Sequence, residues 1–382
     1  MSLVLISAGD ASGDLHAAAF VEALRRRRPG TTFAGLGGDA LARAGVELLV
    51  HQREIAIGGL VEVLSSVRRV LSAWAILGRA LTRRRPGLVV LVDSPDFNLP
   101  LAKRARRAGV PVLYYVSPQV WAWRRRRIRM LARRADRLAA IFPFEPALYA
   151  GSGLRVDFVG HPLVDTLGDL SRRLDAKTAR EELGLPRDAP LVLLMPGSRR
   201  NELAHHLAPM LESARLLARR RPDVRFALAV APSLARDEVA ARVGAAALPP
   251  GLAPSLVSGH AHEAILASDV VLAKPGTTTV EVALLGRPLV VLGKANALTA
   301  ALARRLVDLP SLVMPNLIAG APVVPEFLQE DARPERIALA LEALLDGPAR
   351  ALALERLAVV RARLGGGGAA ERTAAIAEEM LA

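Results

Sequence analysis

The five residues "LVVLV", Leu88 to Val92, are apolar without interruption. A run like this suits a strand buried on both faces, and such strands belong to parallel sheets whose crossover helices cover both sides. Similar short runs recur at Leu3-Ile6, Thr32-Ala34, Val112-Val116, Leu138-Phe142 and Arg155-Val159, separated by alanine- and arginine-rich stretches of helical character. The alternation predicts a doubly wound α/β domain. It pauses over His161 to Pro190, where polar residues and a short helix read as a linker, and then restarts with "LVLLMPGSR", "RFALAVAP", "DVVLA" and "PLVVLG". A chain of 382 residues is too long for one ordinary core. The fold class is therefore α/β, with two Rossmann-like doubly wound domains facing a central cleft where ligands bind. The expected boundaries are 1–168, a linker at 169–189, a second domain at 190–364, and a glycine-rich break with a final helix at 365–382.

Charge narrows the partners. Lysine plus arginine number 51 against 37 acidic residues, a net charge of +14, and only Lys103, Lys177, Lys274 and Lys294 are lysines. Guanidinium groups bind phosphate and carboxylate bidentately, so the excess suits anionic ligands or an anionic membrane; arginine-rich coding is the plainer cause. Aromatic residues are 4% of the chain, and the clusters Arg25 to Arg28, Arg83 to Arg85 and Arg124 to Arg127 have no interleaved stacking residues, which argues against nucleic acid. There is no cysteine, hence no disulfide framework and no thiolate metal site. His205-His206 and His260-x-His262 lack further ligands at suitable spacing, so no metal is expected, and no cofactor. With no signal-type N-terminus and no apolar run near the roughly 18 residues of a membrane span, the expectation is a cytoplasmic protein whose membrane contact is peripheral.

The motifs fall at strand ends. "PGSRRNE" places Gly197, Ser198 and Arg199 after the strand Leu191-Met195, where Arg199 can hold a diphosphate; the alternative is a glycine turn with a capping serine. "KPGTTTVEVALLGRP" follows Asp269-Ala273. Gly276 allows close backbone approach, Thr277 and Thr278 open a helix whose dipole favours an anion, and Glu281 can accept two hydrogen bonds from a ribose. A glutamate complementing the helix dipole is the simpler reading of Glu281. The spacing matches neither a Walker loop nor GxGxxG. In the first half, Asp93 of "VDSPDFN" closes the most apolar strand, an expensive place for a carboxylate without a task, although Asp93, Ser94 or Asp96 can also be a helix cap. "YYVSPQVWAWRRRRIRML" sets Ser117, Gln119, Trp121 and Trp123 after the next strand, a platform suited to a sugar face or to a core. His161 lies at the domain junction, as a structural histidine or a base. "SAGDASGDLHAA" puts Asp10 and Asp14 at the mouth of the first strand, where a nucleotide site would place glycines.

These motifs in this order resemble the lipid-A-disaccharide synthase family, inverting glycosyltransferases of the GT-B arrangement. The resemblance runs through "GDASGD", "GLVEVL", "DSPDFN", "YYVSPQVWAWRRRRI", "FPFE", "VGHPLVD", "PGSR", "GTTTVEVALLG", "ARRLV" and "PNLIAG". It implies a donor, UDP-2,3-diacylglucosamine, held by the C-terminal domain, and an acceptor, 2,3-diacylglucosamine 1-phosphate, received by the N-terminal one. A β-1,6 linkage forms and UDP leaves. On this resemblance Arg199 and Glu281 serve the UDP, Asn316 lines the cleft, and Asp93 leads Asp10 as general base. Asp10 and Asp14 then belong to the acceptor half, where carboxylates meet sugar hydroxyls and repel phosphate, with helix capping as the alternative for both.

Two departures bear on this. Asp10 stands where the family usually has glutamate, and Lys274-Pro275 stands where it reads about "SGT". "KPG" is similar to diacylglycerol glycosyltransferases, so another UDP-sugar-dependent glycolipid synthase is the alternative enzyme. A non-catalytic UDP-sugar or lipid-binding protein is the alternative outside enzymes. The segment 58–81 carries Leu60, Val61, Val63, Leu64, Val67, Val70, Leu71 and Trp74 at helical spacing, a face edged by Arg68, Arg69 and Trp74. It is expected to dock on the inner face of the membrane; the ordinary reading is a core helix. A second copy of the chain is kept open as a partner.

Overall fold

The computed structural model describes residues 2–55, 63–118, 126–246, 248–249, 251–296 and 310–382. Gln119, Trp121, Trp123, Leu60 and Val61 lie outside these, and so do the side chains of 63–66. The chain divides into two compact units, one of Met1–Pro162 with Gly366–Ala382, the other of Leu163–Gly365.

In the first unit, β1 (Leu3–Ala8), β2 (Thr32–Gly37), β3 (Glu47–His51), β4 (Leu88–Val92), β5 (Val112–Tyr115), β6 (Arg137–Ala140) and β7 (Arg155–Phe158) form one sheet in the order 3-2-1-4-5-6-7. All its pairings are parallel. Every residue of β4 and β5 is buried, as their unbroken apolar sequence requires. The second unit repeats the plan with β8 (Leu191–Met195), β9 (Arg225–Val230), β10 (Ser255–Ser258), β11 (Val270–Ala273), β12 (Leu289–Gly293) and β13 (Glu326–Leu328), in the order 10-9-8-11-12-13. The chain winds away from β1 in one direction and from β4 in the other, and likewise from β8 and β11. Those two strand pairs are the topological switch points, whose carboxyl ends open a crevice. Asp10 and Asp93 follow β1 and β4; Gly197–Arg199 and Lys274–Thr278 follow β8 and β11.

The segment expected as a linker, 169–189, is built into the second unit: the helices Leu163–Arg173 and Ala176–Glu182 pack on its body. Arg180 ties it down, donating to Asp269 (2.7 Å) and to the carbonyls of Ala267, Arg187 and Ala189. The final helix, Ala369–Met380, belongs with the first unit and lies along the helix Ala11–Arg27. Arg26–Glu371 (2.5 Å) and Arg27–Glu378 (2.7 Å) align the two, while buried Ala374, Ile376 and Ala377 supply most of the adhesion, since exposed ion pairs contribute little.

The helix Val63–Arg84 has two characters. Ala73, Leu77, Ala80 and Leu81 are buried in the first unit's core, and Trp74 is tied to it by an indole hydrogen bond to Phe97 O (3.1 Å) and stacking on the Phe97 ring. Val67 and Leu71, one turn apart, are 51% and 53% exposed. Trp74 therefore belongs to the core side rather than to an interfacial edge.

Candidate active site

At the first switch point the chain leaves β4 through an unusual turn. Asp93 and Ser94 both adopt left-handed backbone angles, φ +45° and +43°, with no glycine present. Consecutive non-glycine residues in this region are strained, and strain of this kind gathers at functional sites. Ser94 occupies the N-cap position of the helix Pro95–Arg107 but makes no side-chain cap bond. Its hydroxyl instead donates to Asp10 Oδ2 (3.0 Å). Gly9 has no side chain because a Cβ there would stand 2.6 Å from Ser94 Oγ.

Of the two roles read for Asp10, the structure shows the cap. Asp10 caps the helix Ala11–Arg27, its Oδ1 accepting from Gly13 N (2.8 Å) and Ser12 Oγ (2.7 Å), and its Oδ2 faces the Asp93 turn. Burial, reinforced by the negative charge of Asp10 and opposed by a backbone bond from Ser94, pushes the Asp93 carboxyl up to about 6. A carboxylate so tuned holds a proton more firmly than an ordinary aspartate, as a general base near neutrality requires. Asp14 caps as well, but caps a different helix. It is buried and accepts from Gly38 N (2.6 Å), Ala40 N (2.8 Å) and Leu41 N (3.3 Å), fixing the start of Asp39–Arg43.

Sequence reasoning missed three neighbours. Tyr114 of β5 donates to the Asp93 carbonyl (2.6 Å), and Asn98 donates to the same carbonyl (2.8 Å) and to Val92 O (3.0 Å). Ser7 donates to Asn98 Oδ1 (2.7 Å). The available signal was polar groups in apolar company: a serine and a tyrosine within buried strands and an asparagine at the base of a helix.

Among the expected acceptor residues, Ser117 is buried and shares a 2.8 Å hydrogen bond with Tyr149 Oη. Beside it Glu145 of "FPFE" is 1% exposed, and its Oε2 accepts from Ile141 N (3.1 Å) and Phe142 N (3.0 Å). Burial raises its carboxyl to about 8, outweighing those amide bonds and the Ser117 hydroxyl, so it is held protonated at neutral pH. His161 is buried and packs on Phe142 at 5.2 Å between ring centroids. Burial, with a small contribution from His16, lowers it to about 3. It is a neutral imidazole at neutral pH, which suits packing and hydrogen bonding.

The second switch point is cationic and glycine-built. Gly197 (φ +127°) and Gly276 (φ +145°) supply the backbone that side-chain-bearing residues rarely adopt. Arg199 projects 83% exposed, its Nη1 4.0 Å from Glu202. The turn's amides, however, are already occupied. Ser198 N (2.8 Å) and Arg199 N (3.3 Å) both donate to Glu202 Oε2, so the turn is closed by Glu202 rather than by a capping serine. Lys274 donates to the other oxygen of Glu202 (3.0 Å). Burial opposes the charge on Glu202, but the bonds from Lys274 and Ser198 prevail and hold its carboxyl below the usual range.

Thr277 and Thr278 stand at the start of the helix Thr278–Leu284, and the hydroxyl that bonds the turn is that of Thr279, to Gly276 O (2.7 Å). Glu281, one turn on, lies 3.6 Å from His262 Nε2 and raises that imidazole. Asn316, expected to serve the donor, spends its amide on its own loop: Oδ1 accepts from Val323 N and Val324 N (2.8 Å each), and Nδ2 donates to Val324 O (3.0 Å) and Ser311 Oγ (3.3 Å). His206 is likewise structural. It accepts from Lys294 N at Nε2 (3.2 Å) and donates from Nδ1 to Glu202 O (2.7 Å).

A sequence profile described as lipid-A-disaccharide synthetase matches residues 4–367. The chain belongs to the lipid-A-disaccharide synthase family. The lipid-A-disaccharide synthases of Myxococcus xanthus and Syntrophus aciditrophicus are 43% and 44% identical to it over 380 residues, covering 99% of this chain and 97% and 98% of theirs. Solved structures similar in fold include the UDP-GlcNAc 2-epimerase of Neisseria meningitidis bound to UDP-GlcNAc (TM-score 0.66, 12% identity, 99% and 98% coverage) and MurG of Acinetobacter baumannii (TM-score 0.59, 17% identity, 99% of each chain). A lipid-A-disaccharide synthase is a glycosyltransferase, and the match runs through both units. Neither a diacylglycerol-type enzyme nor a non-catalytic binder is favoured. Among the described residues no helix is long and apolar enough to cross a membrane.

Proposed function

We propose that Asp93 is the general base of this disaccharide synthase. It takes the proton of the 6-hydroxyl of 2,3-diacylglucosamine 1-phosphate as that oxygen attacks C1 of UDP-2,3-diacylglucosamine. The new C1–O bond forms on the face opposite UDP, the bond to the diphosphate oxygen breaks, and UDP departs with the electron pair, giving the β-1,6 linkage. The observation that carries this reading is the Asp93 carboxyl itself, at a switch-point strand end, raised to about 6 beside Asp10. Asp10 tunes that base and can accept from a sugar hydroxyl. Ser117 supports the start of the acceptor segment, with Glu145 and Tyr149 behind it.

The donor half rests on Arg199, whose exposed guanidinium can bind diphosphate bidentately, on the backbone at Gly276–Thr278, and on Glu281 for ribose hydroxyls. Lys274 acts one step back, steadying Glu202 and through it the Arg199 turn. These groups neutralise the departing UDP without a metal ion, so turnover should persist in excess EDTA and be unchanged by added Mg²⁺. Val67 and Leu71 support docking on the cytoplasmic face of the membrane, guiding acyl chains to the first unit. The test of the central reading is Asp93→Asn in purified enzyme, with product formation and UDP binding measured side by side. Loss of turnover with UDP binding retained is expected; unchanged single-turnover chemistry refutes it.

A further inference from the structure

We infer that Tyr114 and Asn98 are positioning residues for Asp93, clamping its carbonyl so that the left-handed turn aims the carboxylate. The inference rests on the reading of Asp93 as base. Its support is geometric. The Asp93 carbonyl receives two side-chain donors, Tyr114 Oη at 2.6 Å and Asn98 Nδ2 at 2.8 Å. Asn98 also holds Val92 O (3.0 Å), and its backbone N donates to Ser94 O (2.9 Å), so it grips the turn before, at and after the strained residue. The amide is itself oriented: Ser7 Oγ donates to Oδ1, which leaves Nδ2 facing the carbonyls. Ser7, Asn98 and Tyr114 are all fully buried, so water cannot replace a lost donor there without repacking.

Two adjacent side-chain-bearing residues at φ near +45° do not stay there by local preference. They persist because surrounding bonds over-determine them. Without the clamp the peptide relaxes toward ordinary extended or helical angles, and the carboxylate swings with it. That motion changes what the carboxylate senses. Asp10 faces it from the end of β1, Ser94 from its own turn, Tyr114 from β5, and Glu145 from the short helix Glu145–Leu148 after β6; Tyr114 is also within reach of Tyr149 and of the Asp96–Arg127 ion pair. Burial, and after it the charge of Asp10, lift Asp93, so a displaced carboxylate loses the lift along with its aim.

Tyr114→Phe tests the clamp, because it removes one oxygen and leaves the ring in the core. Asn98→Ser is the second variant, shortening the other donor. Single-turnover rates on the full-length enzyme are recorded from pH 4.5 to 8, with UDP affinity measured separately. The expected result for each is a loss of roughly ten- to a hundredfold in rate, the scale of a misaimed reacting group. The acid limb should move from near 6 toward that of an ordinary aspartate, with UDP affinity unchanged. Both variants keeping the wild-type rate and limb, with or without a lower Tm, overturns the clamp provided Asp93→Asn is inactive. An Asp93→Asn enzyme with wild-type chemistry refutes the base reading itself, a result the clamp variants cannot mimic.

Discussion

The two units carry the same kind of sheet and use the same feature of it, yet they solve the turn at its mouth in opposite ways. After β8 and β11 the chain turns on glycines, Gly197 and Gly276, and sends Arg199 into solvent. After β4 it turns on Asp93 and Ser94, strained and held from below by buried donors. An anion-binding turn needs close backbone and positive charge, which glycine and arginine supply at little conformational cost. A base needs its own side chain at the turn and a raised affinity for a proton, which glycine cannot give. On the function proposed above, the difference separates binding from chemistry, and substitutions can break the two apart.

The largest expected effect is at Asp93. Asp93→Asn should lower kcat by roughly 10² or more, the scale of lost general-base catalysis, and leave UDP affinity unchanged. The same substitution should stabilise the fold at neutral pH. With its carboxyl raised to about 6 in the native state, Asp93 favours folding fully only below its unfolded value near 3.9, and that stability is lost as pH rises through about 6. The neutral asparagine escapes this loss, on the order of 2–3 kcal/mol, visible as a higher denaturation midpoint at pH 7.5 than at pH 4 relative to wild type.

Arg199→Ala should do the reverse, weakening UDP and donor binding about tenfold by calorimetry with single-turnover chemistry at saturating donor preserved. A loss confined to kcat would erase the distinction between the units. Asp10→Asn sharpens the comparison more gently. It removes the charge that helps lift Asp93, so the acid limb of the rate should shift to lower pH while the rate near pH 7.5 changes little. The smallest effect is expected on the Val63–Arg84 helix, where Val67→Ser with Leu71→Ser should reduce binding to anionic liposomes and raise the KM for lipid acceptor severalfold. Both residues are exposed, so Tm should hold. Unfolding by this pair would assign the whole helix to the core.

Much of the architecture was legible because strands buried on both faces leave unbroken apolar runs, as in Leu88–Val92. Asp93 was legible too, as a carboxylate closing such a run. The strain was not, because left-handed turns are normally announced by glycine and this one has none. Asp14 reads as a cap of its own helix but serves amides at Gly38 and Ala40, a pairing that only folding brings together. Glu202 looks like an ordinary first-turn glutamate, and only the structure shows it accepting from the Ser198 and Arg199 amides and reaching Lys274, 72 residues on. The last helix was recognisable as a helix, but its place beside Ala11–Arg27 depends on contacts across nearly the whole chain.

On the proposed function, the β4 turn of the first unit does the proton transfer, with a carboxyl tuned for it. The pH dependence of the single-turnover rate, with donor bound and acceptor saturating, tests this most directly. One acid limb near pH 6 is expected, and it should disappear, together with most of the rate, in Asp93→Asn. A limb near 4, or one that persists unchanged in Asp93→Asn, contradicts the proposed function.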